Sequence, residues 1–391
     1  MNLQKKTFVL ILLFMYFLSS TAWGAPVIEE SDLDSYVLID RNSGHVLLEK
    51  GKDTSVNIEG ATNILTSVIA AEKGDLDKKV SIGENPVKVM GTKVYLQEKE
   101  KILLSDLVKA ALVYSANDAA MAIAEHISGS DLAFVEELNN KVREIGCENT
   151  VFTNSYGQKD SRHVTTAYDL ALIAKYAMNN EKIVEFAKIK SFNWSGASWQ
   201  ALLTNRNILL EDYPGITGLM AATRGDQERL DLIFSYQLDD KDYILVMTNA
   251  RAVKAFDYAA QLIEFASENF QVIRLVDEKE PIITVSTVDG KTIQGLSERS
   301  ISIPIRIGVK VDASKEFFMN EIKRPLKEGD KIGEVVYFVG GEELERMNVL
   351  SDQKLSIRFS YLDMGIYAFA GLYLIQIIYR TMKMRRKPKR R

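Results

Sequence analysis

A single cysteine, Cys147, stands in a chain of 391 residues, so no intramolecular disulfide can form. Histidine is nearly as scarce. His45, His126 and His163 are the only three, and none belongs to a cluster with metal-ligand spacing. Nothing in the sequence implies a metal or another cofactor. Internal repeats are absent, and so is any low-complexity linker before the basic C-terminus. An excess of positive charge is missing too. Setting aside ten of the 49 basic residues, two near the start and eight at the end, leaves 39 against 53 acidic residues, a net charge of about −14. That balance excludes a nucleic-acid partner, which needs a basic surface.

The apolar runs lie at the two ends. Lys5-Lys6 is followed by an uncharged stretch from Phe8 to Leu18 and then by small residues up to Gly24, which reads as a secretory signal peptide over 1–24. Met364 to Tyr379 carries no charge. Sixteen helical residues reach about 24 Å, against ~30 Å of hydrocarbon, and snorkelling ends can extend that reach. The expectation is a transmembrane anchor over 362–380 and a basic cytoplasmic tail over 381–391. The alternative is a helix lying in the interface. The expected location is the cell membrane, with the bulk of the chain on its extracytoplasmic side.

Between the ends, the pattern predicts two domains. Residues 25–271 alternate strands and helices. Tyr36–Asp40 and His45–Glu49 form a hairpin. Helices follow over Ala61–Lys73, Leu103–Ala111, Asn117–Ile127 and Leu132–Ile145. Leu230–Tyr236 and Tyr243–Thr248 pair, and Phe256–Asn269 is a closing helix. Residues 272–358 read as a small all-β module: a hairpin over Ile282–Ile293 turning at Asp289-Gly290, a strictly alternating strand over Ser300–Val311, and a strand over Ile332–Val339.

Several stretches carry a resemblance in order: Tyr36–Asp40 with Ser43-Gly44, Ile69–Leu76, Val94-Tyr95-Leu96 with Leu107–Glu125, Asn149–Asn154 with Gly157, His163 with Thr166–Asp169, and Asn205–Gly218. From about Asp34 to Leu355 the chain resembles the serine-type D-Ala-D-Ala carboxypeptidases, the low-molecular-weight penicillin-binding proteins. The resemblance implies an α/β serine transpeptidase or β-lactamase-like domain, with an antiparallel sheet of about five strands and helices. A small C-terminal all-β domain and a membrane anchor follow it.

The family's chemistry is acyl transfer. A serine in Ser-x-x-Lys attacks a D-alanyl carbonyl, with the lysine as base. Ser-x-Asn relays protons, and Lys-Thr-Gly supplies charge along an edge strand. Only the second motif is present, as Ser115-Ala116-Asn117. The nucleophile position is Gly60 and the base position Asn63. Mapped onto Tyr213–Ala222, the family's third motif falls on Met220, Ala221 and Ala222. The arginine that helps hold the substrate carboxylate falls on Ala255, with Arg251 and Lys254 close enough in sequence to compensate. The literal Ser351-Asp-Gln-Lys354 lies beyond the β-module and is read as chance. Ser115 with Lys109 is an alternative nucleophile and base. The favoured reading makes Ser115 and Asn117 a structural remnant that ties the interhelical loop by hydrogen bonds.

The function that follows is a carboxypeptidase-like pseudoenzyme that binds or scaffolds at the cell wall, with peptidoglycan stem peptide or a wall protein as partner. An active carboxypeptidase using displaced residues is one alternative. A purely structural envelope protein is the other.

Overall fold

The computed structural model describes residues 26, 28–225, 228–287, 290–356 and 361–385, without the side chains of 30, 212, 361–367 and 383–385. The expected signal peptide, the tail from 386 and Asp289 of the hairpin turn lie outside the described residues. The chain divides into two units. One runs to Ile273 and takes in Ser302–Val309. The other holds Arg274–Ile301 and the residues from Lys310.

The first unit is built on five antiparallel strands: β1 (Ser35–Asp40), β2 (Val46–Lys50), β3 (Ile216–Thr223), β4 (Arg229–Leu238) and β5 (Lys241–Arg251). Their order is β2-β1-β5-β4-β3, so β3 is an edge. The first and last strands of this sheet pair with each other, with Val37 opposite Val246. β1 is buried along its whole length because the sheet is covered on both faces. Val37, Ile39, Met220, Ala222 and Ile233 pack on one side with the helices that build the site. Tyr36, Leu38, Ala221, Leu232 and Phe234 pack on the other with the closing helix Ala252–Asn269. The period of two along each strand thus sorts neighbouring residues into separate cores.

Helix α1 (Thr62–Lys73) is central, with its first nine residues buried. Ile64, Leu65, Val68 and Ile69 are fully buried or nearly so. Each contributes roughly 1.5–3 kcal/mol. That gain carries the cost of the polar residues on the same turns. Thr66 donates to the Ser155 carbonyl at 2.7 Å. Asn63 and Ser67 find no partner among the described residues. Helices α2 (Leu104–Tyr114) and α3 (Asn117–Ser128) pack beside α1, joined by the two-residue corner Ser115-Ala116.

The second unit is a five-stranded antiparallel sheet in the order 281–286, 292–297, 342–351, 331–339, 313–319. Ile293, Val335, Met347 and Val349 form its core. The alternation expected over Ser300–Val311 yields a strand only over Ile301–Arg306. Gly308 turns at φ +82°, which leaves Ile307 and Val309 exposed. The strands over 313–319 and 342–351 were not anticipated, because their outward faces are charged.

A helix does form over Tyr361–Arg385. Its described apolar side chains, including Phe369, Leu372, Ile375 and Ile378, are exposed. The transmembrane anchor expected over 362–380 is a different matter. Among the described residues no helix is long and apolar enough to cross a membrane. The uncharged stretch contains three tyrosines, two glycines and Gln376, which dilute its hydropathy.

Candidate active site

The short loop Asn57–Ala61 leads into α1. The Thr62 amide donates to the Glu59 carbonyl and the Asn63 amide to the Gly60 carbonyl, both at 3.0 Å. Gly60 therefore sits at the head of the helix and faces the α2–α3 corner. A Cβ built on Gly60 would stand 3.8 Å from Ser115 Oγ and 3.0 Å from the Ala222 Cβ. Three positions far apart in sequence thus converge: the nucleophile position on α1, the corner serine, and the last position of the third motif on β3.

Ser115 ends α2 in the left-handed conformation, φ 58° and ψ 39°, and its amide caps the helix by donating to the Ala110 carbonyl. Its Oγ is buried and has no hydrogen-bond partner among the described residues. The remnant role expected for the pair is therefore divided. Asn117 ties the loop, its Nδ2 donating to the Met90 carbonyl at 2.8 Å and its amide to the Thr92 carbonyl at 2.8 Å. Ser115 holds its corner through its backbone alone. Gly91 is required beside it, because any Cβ there would meet Asn117 Nδ2 at 2.5 Å and its φ is +94°.

Asn63, at the base position, is wholly buried, and neither its side-chain nitrogen nor its oxygen is paired among the described residues. Met220 and Ala222 are buried at 1% exposure on the face of β3 turned toward the helices. Ala221 points into the opposite core. Ala255 joins that same core on the closing helix and is absent from the cleft lining. The register of the helix places it against the far side of the sheet. The compensation expected from Arg251 and Lys254 also fails, since both reach Asp32 instead, at 3.4 and 2.9 Å. The Tyr258 hydroxyl and the Lys254 ammonium hold the Asp32 carboxyl below its usual range.

In front of Gly60 lies a cleft of about 620 Å³, with Ser115, Asn117, Tyr95, Arg206 and Arg224 among its walls. Tyr95 belongs to the matched stretch Val94-Tyr95-Leu96, whereas neither arginine is a site residue that the motifs predict. Arg206 lies within the quoted Asn205-Arg-Asn207 stretch, which was the available signal. Its guanidinium stacks on Tyr114, 5.4 Å from the ring centre, and donates to the Thr223 hydroxyl. Arg224 is bound from behind. It donates to Asp231 Oδ1 at 2.8 Å and to the Asn57 carbonyl at 3.0 Å, and reaches Glu59 at 3.8 Å. That arginine fixes the loop carrying Gly60 to the sheet.

His163 braces the same loop from the other side. Its Nδ1 accepts from the Thr153 amide at 2.9 Å, so the proton sits on Nε2, which donates to Thr62 Oγ1 at 2.9 Å. Burial pushes the ring down to about 4. Among the described residues no group of histidine, cysteine, aspartate and glutamate could hold a metal ion.

The arrangement can enclose an extended ligand against the edge strand. It lacks a hydroxyl at position 60 and a base beneath it, so covalent attack has no starting point there. The sequence profile of D-alanyl-D-alanine carboxypeptidase matches residues 21–252, and that of the penicillin-binding protein 5 C-terminal domain matches residues 270–356. The D-alanyl-D-alanine carboxypeptidase DacF of Bacillus subtilis is 28% identical over 334 residues, covering 82% of this chain and 85% of that relative. DacC of Escherichia coli is 24% identical, covering 85% and 87%. Penicillin-binding protein 5 of Haemophilus influenzae has the same fold, with a TM-score of 0.72 at 24% identity over 85% of this chain and 99% of that one. The chain belongs to the D-alanyl-D-alanine carboxypeptidase family.

Proposed function

We propose that this protein is a catalytically silent member of the family, which binds peptidoglycan stem peptide at the cell wall and does not cleave it. The observation that carries the reading is Gly60. It occupies the attacking position, within 4 Å of Ser115 Oγ by its would-be Cβ, and offers no nucleophile. The base and the charged clamp are replaced in the same chain by Asn63 and Met220, both buried. Loss of nucleophile and base together removes on the order of 10⁶ in rate in serine hydrolases. Catalysis by displaced residues lacks support: Lys109, the candidate base for Ser115, is engaged with Asp106 at 3.0 Å. A purely structural role leaves the cleft of about 620 Å³ without use.

The test is incubation of the full chain with a pentapeptide ending in D-Ala-D-Ala. Binding without release of D-alanine is expected. Catalytic release of D-alanine, abolished by Ser115→Ala, would establish the displaced-residue enzyme instead.

We further propose that the body of the protein works on the extracytoplasmic side of the cell membrane, held there through its C-terminal helix. The exposed apolar side chains of that helix motivate this, as do the eight basic residues from Arg380 onward. Truncation after Tyr361 should move the protein from the membrane to the soluble fraction. A truncated form that stays with membranes would locate the attachment elsewhere.

A further inference from the structure

The rim of the cleft carries an aromatic corner that the missing chemistry does not explain. Tyr95 is 54% exposed and adopts φ 56°, a region that bulky side chains rarely enter. The surroundings impose that conformation. Buried Asp118 accepts the amides on both sides of it, from Val94 at 3.0 Å and Leu96 at 3.1 Å. The Tyr95 carbonyl in turn accepts from the Ser198 hydroxyl at 2.8 Å. The Tyr95 ring meets Trp199 edge-on, 5.3 Å between centres and 78° between planes. Trp199 in turn lies 6.4 Å from Tyr114. Backbone strain held by so many partners points to a preformed binding element.

Among the described residues that line the cleft, positive charge predominates. Lys93, Lys159 and Arg206 line it. The Lys93 ammonium lies over one face of the Tyr95 ring, 5.7 Å from its centre, and interacts with the buried Asp118 carboxylate, whereas neither Lys159 nor Arg206 pairs with a carboxylate among the described residues. Among the described residues Glu59 is the one acidic residue of the lining, and it faces Arg224 at 3.8 Å. A ligand that suits both features presents carboxylates to the cations and a C–H-rich ring face to the electron-rich faces of the aromatics. A free peptide supplies the first only. A peptide linked to an N-acetylated sugar supplies both.

We propose that Tyr95 and Trp199 form a sugar-recognition platform, so that the cleft selects a sugar-linked acidic peptide over the same peptide alone. This rests on the reading that the cleft binds without cutting. It adds that the glycan part of the wall fragment, and not only the stem, is recognised.

The test titrates the full chain in detergent with an N-acetylated disaccharide pentapeptide, and separately with the identical pentapeptide without sugar. The sugar-linked ligand should bind about tenfold more tightly. Trp199→Leu and Tyr95→Leu should each bring that ratio toward one, weakening the sugar-linked ligand by more than the free peptide. Arg206→Gln should weaken both ligands alike. Tyr95 is the more exposed of the pair, so its variant carries the test if the tryptophan variant does not fold. Equal affinities in the unmodified protein overturn the platform while leaving peptide binding intact. A ratio that survives in the Tyr95 variant overturns it as well. Failure of both ligands to bind overturns the platform and the proposed function together.

Discussion

Gly60→Ser alone should leave the protein unreactive toward penicillin. A serine hydroxyl needs a neighbouring base to become nucleophilic, and the residue one turn along α1 is Asn63, whose amide cannot take a proton. Space is the second obstacle. The new Cβ would meet the Ala222 methyl at 3.0 Å, closer than side-chain carbons normally approach. Three further changes act on these obstacles. Ala222→Gly removes the methyl. Asn63→Lys supplies an amine at a fully buried position, where desolvation lowers its pKa and favours the neutral base. Met220→Lys returns charge to the edge strand. With Ala221→Thr added, the five-substitution variant should be acylated faster than Gly60→Ser alone by on the order of a thousandfold. Time-resolved penicillin labelling measures it. Equal rates in the two variants would show that base and clamp are not what the chain lacks.

Acid should loosen the loop that carries Gly60. His163 is neutral in the folded protein, and its ring titrates near 4, whereas an unfolded chain takes up the proton near 6.5. The folded pKa is the lower one, so below 6.5 the unfolded state binds more protons. Stability is then full above that pH and falls progressively toward 4. Between pH 7 and pH 5 the loss from this one group is about 2 kcal/mol. Urea unfolding followed by tryptophan fluorescence should show it, and His163→Asn should flatten the slope. A slope unchanged in that variant would place the acid sensitivity elsewhere.

The fold was legible where apolar spacing and motif order agree. The hairpin at Tyr36–Asp40, helix α1 ending before Gly74, and the strand pair β4–β5 were all readable this way. α2 and α3 were found nearly to their ends, because the left-handed corner at Ser115 is encoded by the surviving motif itself. The reading was less successful where partners far along the chain decide. Ser300–Val311 alternates over twelve residues but forms six residues of strand, since Gly308 turns the chain. The charged strands over 313–319 and 342–351 carry little alternation to detect.

Within the site, the convergence of Gly60, Ser115 and Ala222 followed from motif order. Ala255 did not belong with them, because position in a matched stretch says nothing about which face of a helix meets the sheet. Arg206 and Arg224 were missed for the opposite reason. Each is recognisable only through what it touches: the Tyr114 ring and Thr223 for one, Asp231 and the Asn57 carbonyl for the other. Tyr95 was quoted as part of a motif, but its unusual backbone conformation is visible only in three dimensions.

The central claim is that the cleft has kept its shape and lost its nucleophile. Intact mass of the unmodified protein after prolonged exposure to excess penicillin tests it most directly. The expected result is an unchanged mass, because position 60 carries no hydroxyl and Lys109, the base expected for Ser115, is engaged with Asp106. An added mass equal to one penicillin molecule, mapped by fragmentation to Ser115 or any other serine, would contradict the account and make the protein an acylating enzyme with a displaced nucleophile.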